Sequence, residues 1–172
     1  MRYGDDKYDK YYVIPKVAKL CIDSIDISEY DTIVEPSAGD GSFYNQINHK
    51  NKIGIDIMPE CEGLIKQDFL TWTPNTNNKI LTIGSPPWGT RGDWALEFVN
   101  HSFKFSDTVA FVLPGYFDKR TPPEYDVIKG EKKYVILPDY KIIDCFELPA
   151  FSFTHYGELI DYSSVFITYK KY

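Results

Sequence analysis

A short segment between two apolar runs, Gly84-Ser85-Pro86-Pro87-Trp88-Gly89, has side chains and stiffness suited to handling an amino group. Two prolines fix the backbone and remove two N–H donors. The neighbouring carbonyls then face outward with no internal partner competing for them. Ser85 adds a side-chain acceptor, and Trp88 adds a flat apolar face. An amino group held between two acceptors under an aromatic ring is what methyl transfer to a base amine would need. A rigid proline turn over a core tryptophan would use the same residues.

Upstream lies Glu35-Pro36-Ser37-Ala38-Gly39-Asp40-Gly41-Ser42-Phe43, directly after a β-rich run. Small residues after a strand let a ligand approach the backbone closely. A helix starting there would aim free N–H groups and its positive end at that ligand. The turn departs from the dinucleotide fingerprint, because Tyr44 occupies the third glycine position. Asp56 and Ile57 end the next strand, and Asp56 sits at the offset where an acid meets a ribose diol in cofactor-binding α/β folds. A carboxylate can accept from both hydroxyls. Asp68-Phe69 follows a weaker strand, where an acid could accept from an adenine amino group and an aromatic could cover its ring.

These residues need strand ends to carry them, and the chain alternates accordingly. Helices are expected at Ile14–Ser24, entered through Pro15, at Gly41–Asn48 as a helix start, and at Gly92–Phe103. In the last of these Trp94, Leu96, Phe98, Val99 and Phe103 form the apolar face. Strands are expected at Asp31–Glu35, Lys52–Ile57, within Leu64–Phe69, and at Lys79–Ile83, Thr108–Leu113, Tyr140–Leu148 and Val165–Tyr169. Such alternation predicts an α/β domain with a mostly parallel sheet and a ligand site at the carboxyl ends of its strands. Thr73–Lys79 reads as a loop, and Asp118–Lys133 as a long, functional or disordered one.

Taken together, the residues resemble the class I methyltransferases that use S-adenosylmethionine, and more narrowly the amino-methyltransferases with a D/N/S-P-P-Y/F/W motif acting on adenine N6 or cytosine N4. Tyr11-Tyr12-Val13-Ile14-Pro15 resembles the element leading into the cofactor pocket, Val34–Phe43 the glycine motif, and Gly54-Ile55-Asp56-Ile57 the ribose-binding acid. Asp68-Phe69 resembles the adenine-binding pair, Ser85-Pro86-Pro87-Trp88 the catalytic motif, Val112-Leu113-Pro114 the end of the fifth strand, and Ser164–Ile167 the last strand. The resemblance implies a Rossmann-like fold: a seven-stranded, mostly parallel sheet with an antiparallel last strand and flanking helices. It implies S-adenosylmethionine as cofactor, with Glu35, Pro36, Ser37, Ala38, Gly39, Gly41, Ile57 and Ser85 among the residues that bind it, Gly39 and Gly41 lining its methionine part, and Tyr12 and Pro15 packed nearby. Asp56 would hold the ribose, Asp68 and Phe69 the adenine, and Ser85 with the Pro86 carbonyl the target amine, under a stacked Trp88.

Ser85 stands where adenine enzymes more often carry Asp or Asn, and Ser is common in cytosine N4 enzymes. The glycine motif nevertheless precedes the catalytic motif, the order more usual for adenine N6. Adenine is the leading expectation. The alternatives are cytosine N4, a protein glutamine amide, and a noncatalytic subunit of a heteromer. Ribose 2′-O methylation would need a lysine base that the motif lacks, and a nicotinamide oxidoreductase is disfavoured by Tyr44.

The 172 residues fit one domain over 1–172, with no separate target-recognition domain. A net charge of −6 speaks against unaided grip on long duplex nucleic acid. Basic residues are local, at Lys119, Arg120, Lys129, Lys132, Lys133, Lys170 and Lys171. They suit a basic lip or a protein partner that supplies target recognition. The expected substrate is DNA or RNA, with its base flipped or single-stranded. Cys21, Cys61 and Cys145 show no metal-ligand or disulfide spacing. With no signal-like start and no apolar run of membrane length, an intracellular setting, cytoplasmic or nuclear, is expected. His49, His101 and His155 read as surface or packing residues, with His155 in an aromatic segment that could border the site.

Overall fold

The computed structural model describes residues 10–119, 127–128, 131–132 and 139–172. The chain begins with a short strand, β1 (Tyr12–Val13), and the first helix, α1 (Pro15–Asp23). Pro15 takes the first helical position behind an extended Ile14, where its missing N–H costs nothing. Val17, Ala18, Cys21 and Ile22 form the buried stripe of α1.

The main sheet takes up β2 (Thr32–Glu35), β3 (Lys52–Asp56), β4 (Ile65–Lys66), β5 (Ile80–Gly84) and β6 (Thr108–Pro114) as parallel strands. Every residue of β2, β5 and β6 is buried, as expected for strands covered on both faces. Two two-residue strands, β7 (Val127–Ile128) and β8 (Glu131–Lys132), pair separately. The chain then returns through β9 (Tyr140–Glu147), β10 (Phe153–His155), β11 (Glu158–Ile160) and β12 (Ser164–Lys171). The seven-stranded order is β4-β3-β2-β5-β6-β12-β9, with β12 inserted antiparallel between β6 and β9. The expected fold class is therefore the observed one. Strand order reverses between β2 and β5, and this switch point puts the ends of β2, β3 and β5 around one crevice.

The helical cover is thinner than expected. Besides α1, the described residues contain one further α-helix, α2 (Asp93–Ser102). Ala95, Leu96, Phe98 and Val99 are buried on it, whereas Trp94, expected on the apolar face, is 38% exposed. The helix expected at Gly41–Asn48 is a single 3-10 turn, Tyr44–Gln46, without a side-chain cap. The chain must reach Lys52, which pairs with Ile33, only a few residues later. So short a segment, rich in Asn, cannot repay helix nucleation.

A second sheet, β1-β10-β11, escaped the sequence reading. Its hairpin turns at Tyr156 (φ 48°) and Gly157 (φ 81°), both left-handed as a two-residue hairpin loop requires. β1 pairs with β10 through Tyr12↔Thr154 and Val13↔Phe153, bringing distant parts of the chain together. Most of the long loop Asp118–Lys133, with Arg120, Lys129 and Lys133 of the expected basic lip, lies outside the described residues. None of the described helices is long and apolar enough to cross a membrane.

Candidate active site

The glycine turn is built by backbone conformation and one carboxylate. Gly39 has φ +48°, and a Cβ there would lie 2.6 Å from the Tyr12 ring, so the position accepts only glycine without rearrangement. The Gly39 N–H donates to Asp56 Oδ2 at 2.8 Å, and the Met58 N–H donates to Oδ1 at 2.7 Å. Each oxygen keeps a second lone pair. Asp56 therefore first positions the turn it follows.

Together these strand ends enclose a cavity of about 350 Å³. Of the cofactor residues expected from sequence, Tyr12, Glu35, Pro36, Ser37, Ala38, Gly39, Asp56, Ile57, Asp68, Phe69 and Ser85 line it. Pro15 and Gly41 do not. Pro15 opens α1, and its carbonyl accepts from Gln46 Nε2 at 2.8 Å. Gly41 (φ +86°) supports the turn from behind, since a Cβ there would crowd Asn45 and Cys61.

Glu35 is 2% exposed, and its Oε2 has no hydrogen-bond partner within the protein. Burial, and then the charges of Asp56 and Asp40, push its carboxyl well above the usual range. Glu60 Oε1 accepts from Lys10 Nζ at 2.5 Å and Tyr12 Oη at 2.8 Å, which holds Glu60 below its ordinary value. Burial, then Glu60, raises the Tyr12 hydroxyl. Asp68 Oδ1 accepts from the Leu70 N–H at 2.9 Å and caps the 3-10 turn Phe69–Thr71. The Phe69 ring packs on Phe98 and on His101, whose imidazole is lowered by burial.

The four motif residues divide between two cavities. Ser85 and Pro87 border the large one. All four border a smaller chamber of about 30 Å³ together with Tyr11, Phe153 and Tyr162. Trp88 is 8% exposed, its Nε1 donates to the Val112 carbonyl at 3.2 Å, and Phe153 meets its ring edge-on. Its ring forms one wall of this chamber. The sequence reading missed Lys10, Met58, Gln67, Leu70 and, from α2, Trp94, Glu97 and Phe98 in the large cavity. The i, i+3, i+4 spacing of the α2 residues was a signal available in the sequence.

The sheet order and the antiparallel β12 are those of the fold seen in solved methyltransferase structures. A Pyrococcus horikoshii protein assigned as an RNA methyltransferase matches with TM-score 0.59 and 14% identity, over 91% of this chain and 81% of that one. The 23S rRNA methyltransferase ErmE matches with TM-score 0.63 and 10% identity, over 94% and 70%. Magnesium protoporphyrin IX methyltransferase from Synechocystis PCC 6803, solved with bound S-adenosylmethionine, matches with TM-score 0.52 and 10% identity, over 91% and 77%. The likeness is one of fold. No protein-family model matches the chain, and no curated protein matches it.

Proposed function

We propose that the chain is an S-adenosylmethionine-dependent methyltransferase acting on the exocyclic amino group of a nucleic-acid base, adenine N6 in the first place and cytosine N4 as the alternative. The observation behind this reading is that Ser85 and Pro87 border both the large cavity and the aromatic chamber. A cofactor in one and an acceptor in the other would meet at the S-P-P-W turn.

The large cavity suits a cationic, nucleoside-bearing ligand. Among the described residues its lining carries Asp40, Asp56, Asp68 and Glu97, and Glu35 when ionised, against Lys10. Such a field favours a sulfonium and an ammonium and opposes a pyrophosphate, which argues against a nicotinamide dinucleotide. The unpartnered Glu35 Oε2 fits the cationic end, and the bare Gly39 backbone fits close approach. Asp56 would hold the ribose hydroxyls, with Asp68 and Phe69 at the adenine.

When bound, the cofactor supplies a sulfonium methyl group that passes to nitrogen as its carbon–sulfur bond breaks. Ser85 and the Pro86 carbonyl would accept hydrogen bonds from the acceptor amine. Those bonds favour a tetrahedral nitrogen and aim its lone pair, so the protein contributes orientation and preorganised dipoles. No general base is needed, because the surplus proton on the methylated nitrogen can pass to water. A protein partner would supply the grip on nucleic acid that a net charge of −6 withholds.

Calorimetric titration with S-adenosylmethionine, followed by mass spectrometry of nucleosides from DNA and RNA incubated with the chain, tests the reading. Stoichiometric binding and N6-methyladenine or N4-methylcytosine support it. A folded chain that binds no cofactor, or one that methylates only glutamine amides, refutes it.

A further inference from the structure

A cluster of rings backs the turn assigned to the cofactor adenine. Phe69, which lines the large cavity, stacks on Phe98 with centroids 5.2 Å apart and meets Phe105 edge-on at 6.1 Å. Trp72, at the far end of the same turn, also meets Phe105 edge-on. His101 of α2 joins these rings. Its imidazole is edge-on to Phe69 at 4.9 Å and to Phe105 at 5.7 Å. It is buried and lies outside the lining of the large cavity.

Both imidazole nitrogens are engaged, and their partners fix the tautomer. Nε2 lies 2.7 Å from the Trp72 carbonyl, which can only accept, so Nε2 carries the proton. Nδ1 lies 3.3 Å from Lys104 Nζ, which can only donate, so Nδ1 is bare. The ring that fits this place is therefore neutral. One of its hydrogen bonds holds the Trp72 end of the Phe69–Thr71 turn to α2, while Asp68 closes the other end through the Leu70 N–H. Asp68 and Phe69, which face the cavity, are thus anchored by a side chain that does not.

Protonation would add an N–H at Nδ1, directed at the Lys104 amine. Burial holds the imidazole below its ordinary value; the Trp72 hydrogen bond opposes this, Lys104 adds to it and Asp68 opposes it. Lys104, just beyond α2, and Asp68, from the adenine turn, are the charged groups acting on the ring.

We propose that neutral His101 is the positioning residue for the adenine end of the cofactor site, and that charging it releases the turn carrying Asp68 and Phe69. The proposal rests on the methyltransferase reading and adds a pH control of cofactor binding to it. An adenine packed on Phe69 shuts the cluster further from water, which disfavours the charged ring more in the complex than in the empty protein. Affinity is then full above the imidazole range and falls as pH drops through it.

The test titrates the full chain calorimetrically with S-adenosylhomocysteine and with its 6-oxo analogue S-inosylhomocysteine, from about pH 8 down to about pH 5. The parent should prefer the 6-amino ligand by at least about tenfold and lose affinity toward acid. His101→Leu keeps apolar bulk but neither polar contact, and its preference should shrink to within about threefold. His101→Gln, whose amide can donate to the Trp72 carbonyl, should restore the preference and flatten the acid loss. Carboxylates titrate alike in both chains, so the difference between parent and His101→Gln reads the imidazole. Lys104→Met, at an exposed position, removes the opposing charge and should start the acid loss at higher pH. If His101→Leu does not fold, the His101→Gln and Lys104→Met profiles decide. Acid profiles that match the parent in both variants overturn the proposal, as does a folded His101→Leu that weakens both ligands equally or neither. Those outcomes leave cofactor binding by the parent intact. A parent that takes no S-adenosylhomocysteine fails the functional reading itself, and this proposal with it.

Discussion

The Ser37 hydroxyl donates a 2.9 Å hydrogen bond to the Ser85 carbonyl, joining the glycine turn after β2 to the S-P-P-W turn after β5. The two turns are far apart in sequence, and this contact ties them just beyond the paired ends of β2 and β5. A neutral, partly buried hydrogen bond of this kind contributes about 1 kcal/mol. Ser37→Ala should therefore lower turnover by about fivefold while changing cofactor affinity by less than about threefold, and Ser37→Thr should restore it. Equal losses in both quantities would mean that Ser37 serves the cofactor alone.

Asp56 is a second junction. Asp56→Ala removes the acceptor for the Gly39 and Met58 N–H groups along with the proposed ribose ligand. Cofactor affinity should fall by at least about tenfold, equivalent to about 1.4 kcal/mol. Asp56→Asn keeps one acceptor oxygen and should fall in between. Calorimetry on both variants decides, and unchanged affinity would remove Asp56 from the ribose site.

Glu35 should make the empty protein pH-sensitive. Its carboxyl is raised by burial and by Asp56 and Asp40, and opposed by the Tyr44 N–H and Lys52. The stability contributed by the neutral acid is present in full below the unfolded value of about 4.3 and is lost as pH rises through the raised folded value. Thermal melts should show stability declining with pH above the ordinary carboxylate range. Glu35→Gln should flatten that decline. A cation bound beside Glu35 would favour its ionised form, so cofactor binding to the parent should release protons across the raised titration range of Glu35. Calorimetry in two buffers of different ionisation enthalpy reads this directly, and Glu35→Gln should abolish it.

Trp88→Ala should cost stability before it tests chemistry. The side chain is buried, hydrogen-bonded to Val112 and packed on Phe153. Truncating such a residue costs about 3–5 kcal/mol, which lowers Tm by about 10 °C in a domain of this size. Trp88→Phe keeps the wall and should retain most cofactor affinity. A melting temperature unchanged by Trp88→Ala would show the ring to be outside the core.

Gly39→Ala combines a left-handed backbone with a clash on the Tyr12 ring. It should abolish detectable cofactor binding, and the companion change Tyr12→Ala should recover only part of it, because the backbone strain at φ +48° remains. Full recovery in the double variant would assign the whole effect to the ring.

The strand–turn pairs were readable because each is local. β-branched runs ending in Glu35-Pro36, Asp56 and Gly84-Ser85 state where a strand stops, and small or rigid residues beyond them state where a ligand can come close. The glycine turn, the acid after β3 and the S-P-P-W segment therefore came from residue types and spacing alone, and so did the parallel part of the sheet. What the sequence could not express is which distant side chains close around those ends. The placement of β12 between β6 and β9, the pairing of β1 with β10, and the meeting of Tyr11 with Phe153, Tyr162 and His155 depend on contacts between opposite ends of the chain. Trp88 shows the same division. Its presence after two prolines was visible in sequence, but its burial follows from the Val112 carbonyl and the Phe153 ring that the fold brings to it. Local chemistry determined the strand ends and the S-P-P-W turn. Long-range packing, which leaves no periodic signature in one sequence, decided the walls of the site.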